Sequence, residues 1–95
     1  MQLITLANNQ TIISDTIENT TKISFFSYDS LIAEYIMKND DLPKLNLIGD
    51  IWDFSNTTRK YFAKYVNEYT CFRYKDKKHF LKLIENEPKI NVIEK

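Results

Sequence analysis

The sequence predicts an α+β fold: a small antiparallel sheet of three to five strands with two helices packed on one face. Three observations lead to this prediction. Short runs of β-branched and aromatic residues, separated by turn-forming residues, fill the first half of the chain. Two stretches with helical spacing follow, at residues 55–69 and 75–86. The length of 95 residues suits one small core, so residues 1–95 are expected to form a single domain.

The first part of the chain is predicted to form two hairpins. Residues 2–6 and 11–14 are apolar runs on either side of an Asn pair, which favours the positive φ angles of tight turns. Residues 22–28 are rich in β-branched and aromatic side chains and open the second hairpin. Residues 30–38 fit both a strand and a helix, and the strand is preferred. Between the hairpins, residues 14–21 are dense in Asp, Asn and Thr and are predicted to be a loop or a short turn of helix.

An elbow, residues 51–61, is predicted where the sheet gives way to the first helix. The strand run before it is interrupted by Gly49, the only glycine, which indicates a bulge or turn because phosphate-binding loops need several glycines. Trp52 and Phe54 are expected to anchor the sheet to the helix. Ser55 is placed to cap the helix, because its hydroxyl can accept a hydrogen bond from an amide two or three residues later.

Each predicted helix has one apolar side. In residues 55–69 the apolar positions follow the i, i+3, i+4, i+7 rule, and in residues 75–86 they also share a side. Pro88 ends the second helix. Residues 89–95 alternate well enough for a closing edge strand or a loose tail. The apolar positions are Phe62, Tyr65, Val66 and Tyr69 in the first helix, and Phe80, Leu83 and Ile84 in the second.

Charge is divided unevenly along a chain whose net charge is zero. Residues 1–57 hold eight acids and three bases, whereas residues 58–95 hold five acids and ten bases. Such a division is typical of a surface that meets a charged partner, and equally of two halves that attract each other. An acidic half can imitate nucleic acid toward a host enzyme, and a basic half can meet an acidic partner surface.

The basic residues between positions 59 and 82 are candidates for binding a partner protein or nucleic acid. They are interleaved with tyrosines and phenylalanines, a mixture that suits phosphate contacts and base stacking. The sequence pI of about 6.6 is low for a nucleic-acid-binding domain, and the simplest interpretation of the bases is a solvated helix face. The candidates are Arg59, Lys60, Lys64, Arg73, Lys75, Lys77 and Lys78.

Residue types on which catalysis and metal binding depend are scarce. Cys71 is the only cysteine and His79 the only histidine, and their commonest roles are a small buried side chain and a solvent-facing one. No metal-ligand cluster of the usual spacing is present. We therefore expect no enzymatic activity, no cofactor and no metal. No apolar run has the length of a membrane span and no signal-peptide pattern is seen, so a cytoplasmic location away from membranes is expected.

Two blocks of the sequence resemble a known family. Residues 52–61, Trp-Asp-Phe-Ser-Asn-Thr-Thr-Arg-Lys-Tyr, are similar to a Trp-Asp-Tyr-Ser-x-Thr-Thr-x-Lys-His element in small uncharacterised proteins from phages, plasmids and their bacterial hosts. Residues 27–33, Ser-Tyr-Asp-Ser-Leu-Ile-Ala, resemble the hairpin segment that precedes this element. Phe54 stands for the usual Tyr and Tyr61 for the usual His. The resemblance, over about residues 20–66, implies a strand–strand–strand–helix order and a mobile-element origin, with no established activity.

These observations favour a non-enzymatic interaction protein of a phage or other mobile genetic element. It is expected to bind a host or partner protein, and inhibition of a host defence system is one such role. The alternative is a nucleic-acid-binding accessory or regulatory protein that uses the seven basic candidates. Tyrosine-rich faces and exposed sheet edges are also compatible with a homodimer.

Overall fold

A computed structural model describes residues 1–93 as one sheet with two helices. The strands are β1 (Gln2–Ala7), β2 (Gln10–Ile17), β3 (Thr20–Ser27), β4 (Ser30–Lys38), β5 (Lys44–Ile48) and β6 (Ile90–Ile93). The helices are α1 (Asn56–Tyr69) and α2 (Lys77–Asn86), and a short 3₁₀ helix spans Ile51–Asp53. The strands lie in the order of their numbers, with β1 to β5 antiparallel and β6 parallel to β5.

The predicted α+β class and the two helices are confirmed, whereas the predicted sheet is wrong in its details. It has six strands instead of three to five, and it is mixed instead of antiparallel. The parallel pair arises because both helices lie between β5 and β6, so the chain returns to the end of the sheet from which β5 started. The predicted closing edge strand is confirmed at Ile90–Ile93, and residues 94 and 95 lie outside the described residues.

The predicted loop at residues 14–21 is wrong, because this segment is a hairpin tip. β2 and β3 are joined by a two-residue turn at Glu18 and Asn19, and Glu18 has a φ of 56°. The hydroxyl oxygens of Thr16 and Thr21 are 3.0 Å apart across the hairpin. Thr and Ile favour extended backbone, and this preference outweighs the polar composition of the segment.

Residues 30–38 form β4, as the preferred interpretation predicts. Phe25 of β3 lies opposite Ala33, and the next residue of β3 lies opposite Leu31. Ile32 is therefore an extra residue, a bulge that turns two consecutive side chains toward the interior. The bulge interrupts the two-residue period of the strand, which is why the sequence of β4 also fits a helix.

The core lies between one face of the sheet and the two helices. α1 places its buried stripe on this face, and the Tyr65 hydroxyl donates a 2.6 Å hydrogen bond to the backbone carbonyl of Ile23. Burial raises the pKa of Tyr65 far above its ordinary value. Cross-strand neighbours on this face form two rows: Ile4, Ile12, Phe25, Ala33 and Leu47, and Ser14, Ile23, Tyr35, Leu45 and Ile90.

An aromatic cluster joins the 3₁₀ helix to both helices. The Trp52 ring is buried, with its centroid 5.4 Å from that of Phe62 on α1 and 5.3 Å from that of Phe80 on α2. Such tilted and edge-on contacts add to the burial energy of the rings. Neither helix has the length and hydrophobicity that crossing a bilayer requires.

The opposite face of the sheet is not covered by any helix among residues 1–93. It mixes apolar and charged side chains, and the Lys22 ammonium lies 3.3 Å from the Glu34 carboxylate. Its main side chains are Leu3, Ile13, Asp15, Lys22, Phe26, Leu31, Glu34, Ile36 and Lys44.

Candidate functional site

Two local features turn the chain from the sheet into α1. Gly49 ends β5 with a φ of +54°, in the left-handed region that glycine adopts without strain, and its N–H donates to the carbonyl of Ile93. Ser55 has extended backbone, and its hydroxyl accepts a 3.1 Å hydrogen bond from the N–H of Thr58. The predicted helix cap is therefore confirmed.

A cleft of about 250 Å³ lies between the elbow and the turn that joins β3 to β4. We call it the elbow cleft. Residues 27–33 and the elbow both contribute to it, although 17 residues lie between them in the chain. Its lining residues are Ser27, Tyr28, Ser30, Ile32, Ile51, Phe54 and Thr58.

Phe54 lies at the cleft with 80% of its surface exposed, whereas Trp52 is 2% exposed. The expectation that both residues anchor the sheet to the helix is right for Trp52 and wrong for Phe54. In a strand, side chains two residues apart share a face. Here the backbone between them is a 3₁₀ helix with three residues per turn, so the two rings point in different directions.

Tyr28 is the second exposed aromatic residue of the cleft, at 55% exposure. Tyr28 and Asp29 form the β3–β4 turn with φ angles of 52° and 68°. Two-residue turns with both φ angles positive favour Asn and Gly, and a bulky residue there costs about 1 kcal/mol or more. The turn carries the bulky Tyr28 side chain at the cleft in spite of this strain.

Buried hydroxyl groups form the polar part of the cleft. The oxygen of Ser27 lies 3.1 Å from that of Thr58, and the Ser55 hydroxyl donates to Thr58 at the same distance. Ser27 and Thr58 are almost fully buried, so these bonds fasten the first turn of α1 to β3. The cleft is lined by no acid, base or cysteine, which suits binding by apolar burial and hydrogen bonding more than proton transfer.

Asp53, in the 3₁₀ helix, binds two of the basic candidates. Its carboxylate accepts a 2.6 Å hydrogen bond from Arg59 of α1 and lies 2.6 Å from the ammonium of Lys77 of α2. Burial alone would raise the pKa of Asp53, but the contacts from Lys77 and Arg59 outweigh it and lower the pKa below its ordinary value. Arg59 also donates to the side-chain oxygen of Asn56. Arg59 and Lys77 therefore hold the elbow and the two helices together.

Two further basic candidates also have internal partners. Arg73 donates a 2.9 Å hydrogen bond to the backbone carbonyl of Asn67. Lys64 lies 3.9 Å from the Glu68 carboxylate one turn later, and both side chains are about half exposed. An exposed pair of this kind contributes between zero and about 1 kcal/mol.

The remaining basic candidates, Lys60, Lys75 and Lys78, are exposed. The ammonium of Lys60 is 5.4 Å from the centroid of the Tyr61 ring, and none of the three forms a salt bridge with residues 1–93. None of the seven candidates lines the elbow cleft. The structure thus divides them between internal contacts and solvent and does not gather them around the cleft.

Cys71 and His79 lie outside the cleft. Cys71 is exposed, so the buried role expected for it is wrong, and its backbone N–H donates a 3.1 Å hydrogen bond to the Tyr35 hydroxyl. Burial and the contact with Cys71 raise the pKa of Tyr35 to about 12. His79 is exposed on the first turn of α2, where its N–H is capped by Asp76. Within residues 1–93, no group of three or more His, Cys, Asp or Glu side chains is arranged to hold a metal ion.

Sequence reasoning missed Tyr28, Ile32, Ile51 and Phe54 as members of one site. The signal that could have found them is the pair of segments singled out in the sequence, since residues 27–33 contribute four of the seven lining residues and the elbow contributes three. The spacing alone gives no reason to join the blocks. Their proximity depends on the register of β4 against β3 and on the direction in which α1 crosses the sheet.

Comparisons of the chain with family models, with curated proteins and with solved structures find no match. The interpretation of the elbow cleft therefore depends on its geometry and chemistry.

Proposed function

We propose that the protein is a non-enzymatic interaction protein that binds a partner protein through the elbow cleft. One observation carries the proposal: Phe54 is 80% exposed beside a preformed cleft. Exposed aromatic rings at a concave surface are typical anchors of protein interfaces, because they bury a large area with little loss of side-chain freedom. Tyr28 gives the same cleft a second ring with a polar tip.

The charge beside the cleft indicates which partner segment would fit. Asp29 follows Tyr28 in the turn, and Asp50 precedes Ile51. Neither carboxylate forms a salt bridge with any of residues 1–93, whereas Asp53 is already neutralised by its two bases. We therefore propose a partner segment that places an apolar side chain in the cleft and a basic residue beside Asp29 or Asp50.

The origin of the partner follows from the resemblance of the two cleft-forming blocks to proteins of phages and plasmids. We infer from this resemblance that the chain belongs to a mobile element and acts by contact with host proteins. We propose a host protein as the partner, and inhibition of a host defence system as one outcome of that contact.

The test begins with a photoreactive phenylalanine analogue at position 54, used to capture the partner in host lysate. The captured protein is then purified, and its affinity is measured for the unaltered chain and for Phe54→Ala. Loss of a central aromatic anchor costs about 2 kcal/mol, which corresponds to roughly a thirtyfold weaker complex.

Leu42→Ala is the matched control. Leu42 is 63% exposed and follows the far end of β4, away from the turn that borders the cleft. Its truncation should leave the affinity unchanged, and both variants should unfold at the temperature of the unaltered chain. Equal binding of Phe54→Ala and the unaltered chain to the purified partner would show that the cleft is not the binding site.

Nucleic-acid binding remains the second proposal, and the exposure of three basic candidates favours it. The other four candidates already bind partners within the chain, so they are less able to contact phosphates. The three exposed candidates that remain available are Lys60, Lys75 and Lys78. An affinity that falls steeply with salt, and falls again in Lys75→Glu with Lys78→Glu, would support it. Lys44→Glu, on the uncovered face of the sheet, is the control. Absence of binding to DNA and RNA at low salt would exclude this alternative.

A further inference from the structure

We propose that β1 pairs with β1 of a second copy of the chain and joins two six-stranded sheets edge to edge. β1 is at one end of the strand order, and β2 is its only neighbour among the described strands. The backbone N–H and C=O groups along its outer side therefore have no partner in the sheet. Such a row of groups is a template for the addition of another strand.

The residues of β1 lack most features with which natural proteins prevent such pairing. None of Gln2–Ala7 is charged or a proline, and the first charged side chain of the sequence is Asp15. The terminal amine of Met1 lies 3.8 Å from the Asp15 carboxylate. The one protective feature is a register irregularity between Thr5 and Ala7, near the end of the strand.

The other edge of the sheet is different. Within residues 1–93, β6 spans Ile90–Ile93, and Pro88 and Lys89 come directly before it. An edge strand preceded by proline and lysine is a poorer template, because proline cannot donate a hydrogen bond and lysine resists burial. The contrast makes β1 the edge that is open to a further strand.

A second copy is the occupant that the composition of β1 favours. In antiparallel pairing about a twofold axis at Thr5, Leu3 faces Ala7, Ile4 faces Leu6, and Thr5 faces Thr5 of the second copy. Gln2–Ala7 contain no charged side chain, so none of these cross-strand pairs brings like charges together. Leu3, 63% exposed, and Ile13 beside it on the uncovered face would gain an apolar neighbour. A charged strand from another protein would find no ion pair on β1.

Sedimentation equilibrium over a range of concentrations tests the proposal. We expect the unaltered chain to dimerise and Thr5→Lys to weaken the dimer about tenfold or more, because two ammonium groups then face each other at short distance. Thr5 is exposed, so the chain tolerates the change. The control is Thr16→Lys, the same substitution at an exposed site on the interior strand β2, and it should leave dimerisation unchanged.

A charge-reversed partner separates repulsion at the interface from a folding defect. Thr5→Glu should also weaken its own dimer, whereas an equimolar mixture of Thr5→Lys and Thr5→Glu should associate at least as well as the unaltered chain. Hydrogen exchange locates the dimer interface, since the amides of Gln2–Ala7 should become protected from exchange as the protein concentration rises.

Three results would overturn the proposal. The first is a chain that stays monomeric at every concentration. The second is a dimer that Thr5→Lys and Thr16→Lys affect equally. The third is a dimer in which the amides of β1 exchange as fast as in the monomer, which would place the interface on another surface.

Discussion

Asp53→Asn tests whether one carboxylate holds the elbow, α1 and α2 together. Asn keeps the shape of the side chain and removes its charge, so Arg59 and Lys77 lose a charged acceptor. A hydrogen bond to a charged group contributes about 1.5 to 3 kcal/mol when it is buried, and exposed pairs contribute 1 kcal/mol or less. The Asp53 side chain is 20% exposed and Lys77 is 51% exposed, so the lower part of this range applies.

We expect Asp53→Asn to lower the free energy of unfolding by about 2 kcal/mol at pH 7 and the Tm by roughly 10 °C. The pKa of Asp53 is lowered in the folded chain, so the carboxylate stabilises the fold above its ordinary pKa. That contribution begins to decline near pH 4 and is lost as the pH falls through the lowered value. The difference between the two proteins should therefore shrink in acid.

Urea unfolding at pH 7 and at a series of lower pH values measures both effects. Asp41→Asn is the control, because Asp41 is exposed and its carboxylate is 3.9 Å from Lys44, so its charge should contribute less than about 0.5 kcal/mol. A stability of Asp53→Asn equal to that of the unaltered chain at pH 7 would refute the reasoning. So would a loss that does not change with pH.

Two further substitutions test the buried polar groups. Gln10 is fully buried, and its side-chain oxygen and nitrogen have no hydrogen-bond partner among the described residues, so Gln10→Met should raise the stability by about 1 kcal/mol in thermal unfolding. A loss of stability would show that the amide is hydrogen-bonded in solution. Tyr65→Phe removes the hydrogen bond to Ile23 and should cost about 1 kcal/mol, whereas Tyr61→Phe should cost little. Burial raises the pKa of Tyr65, so the stabilising effect of its neutral hydroxyl is complete below about pH 10 and declines above that pH. The loss of stability caused by Tyr65→Phe should therefore shrink in alkali. A loss that does not change with pH would contradict this reasoning.

The helices were predictable from the sequence because their signals are local. The stripe of α1 recurs every three to four residues, and the cap at Ser55 precedes the first residue of α1 by one position. α2 begins in the same way, with Asp76 as its cap and Phe80 as its buried residue. α1 begins one residue and α2 two residues after the predicted starts, and both end where predicted.

The sheet was less predictable because its decisive interactions are not local. The bulge at Ile32 depends on pairing with β3, and nothing within β4 distinguishes it from one turn of a helix. The direction of β6 depends on how both helices cross the sheet. The hairpin tip at Glu18 and Asn19 is the exception, since the β-branched residues on either side contain a strand signal that the polar composition obscures.

The sequence pointed to the elbow but not to the residues that line the cleft beside it. The elbow does border the cleft, but the residues that form its exposed rings are Phe54 and Tyr28 instead of the basic candidates. The sequence shows how many basic residues the second half of the chain contains. It does not show that Asp53 binds two of them, because the ion pair with Lys77 requires α2 to approach a residue 24 positions earlier in the chain.

Because β6 pairs with β5, the sheet can be completed only after both helices have been synthesised. The pairs from β1–β2 to β4–β5 join strands that are consecutive in the chain and close in sequence, so each can form soon after its residues leave the ribosome. β6 is translated after both helices, and until it arrives the outer edge of β5 is bare. A nascent chain that stalls before Ile90 would expose this edge to other chains and would depend on chaperones in a way that the completed protein does not.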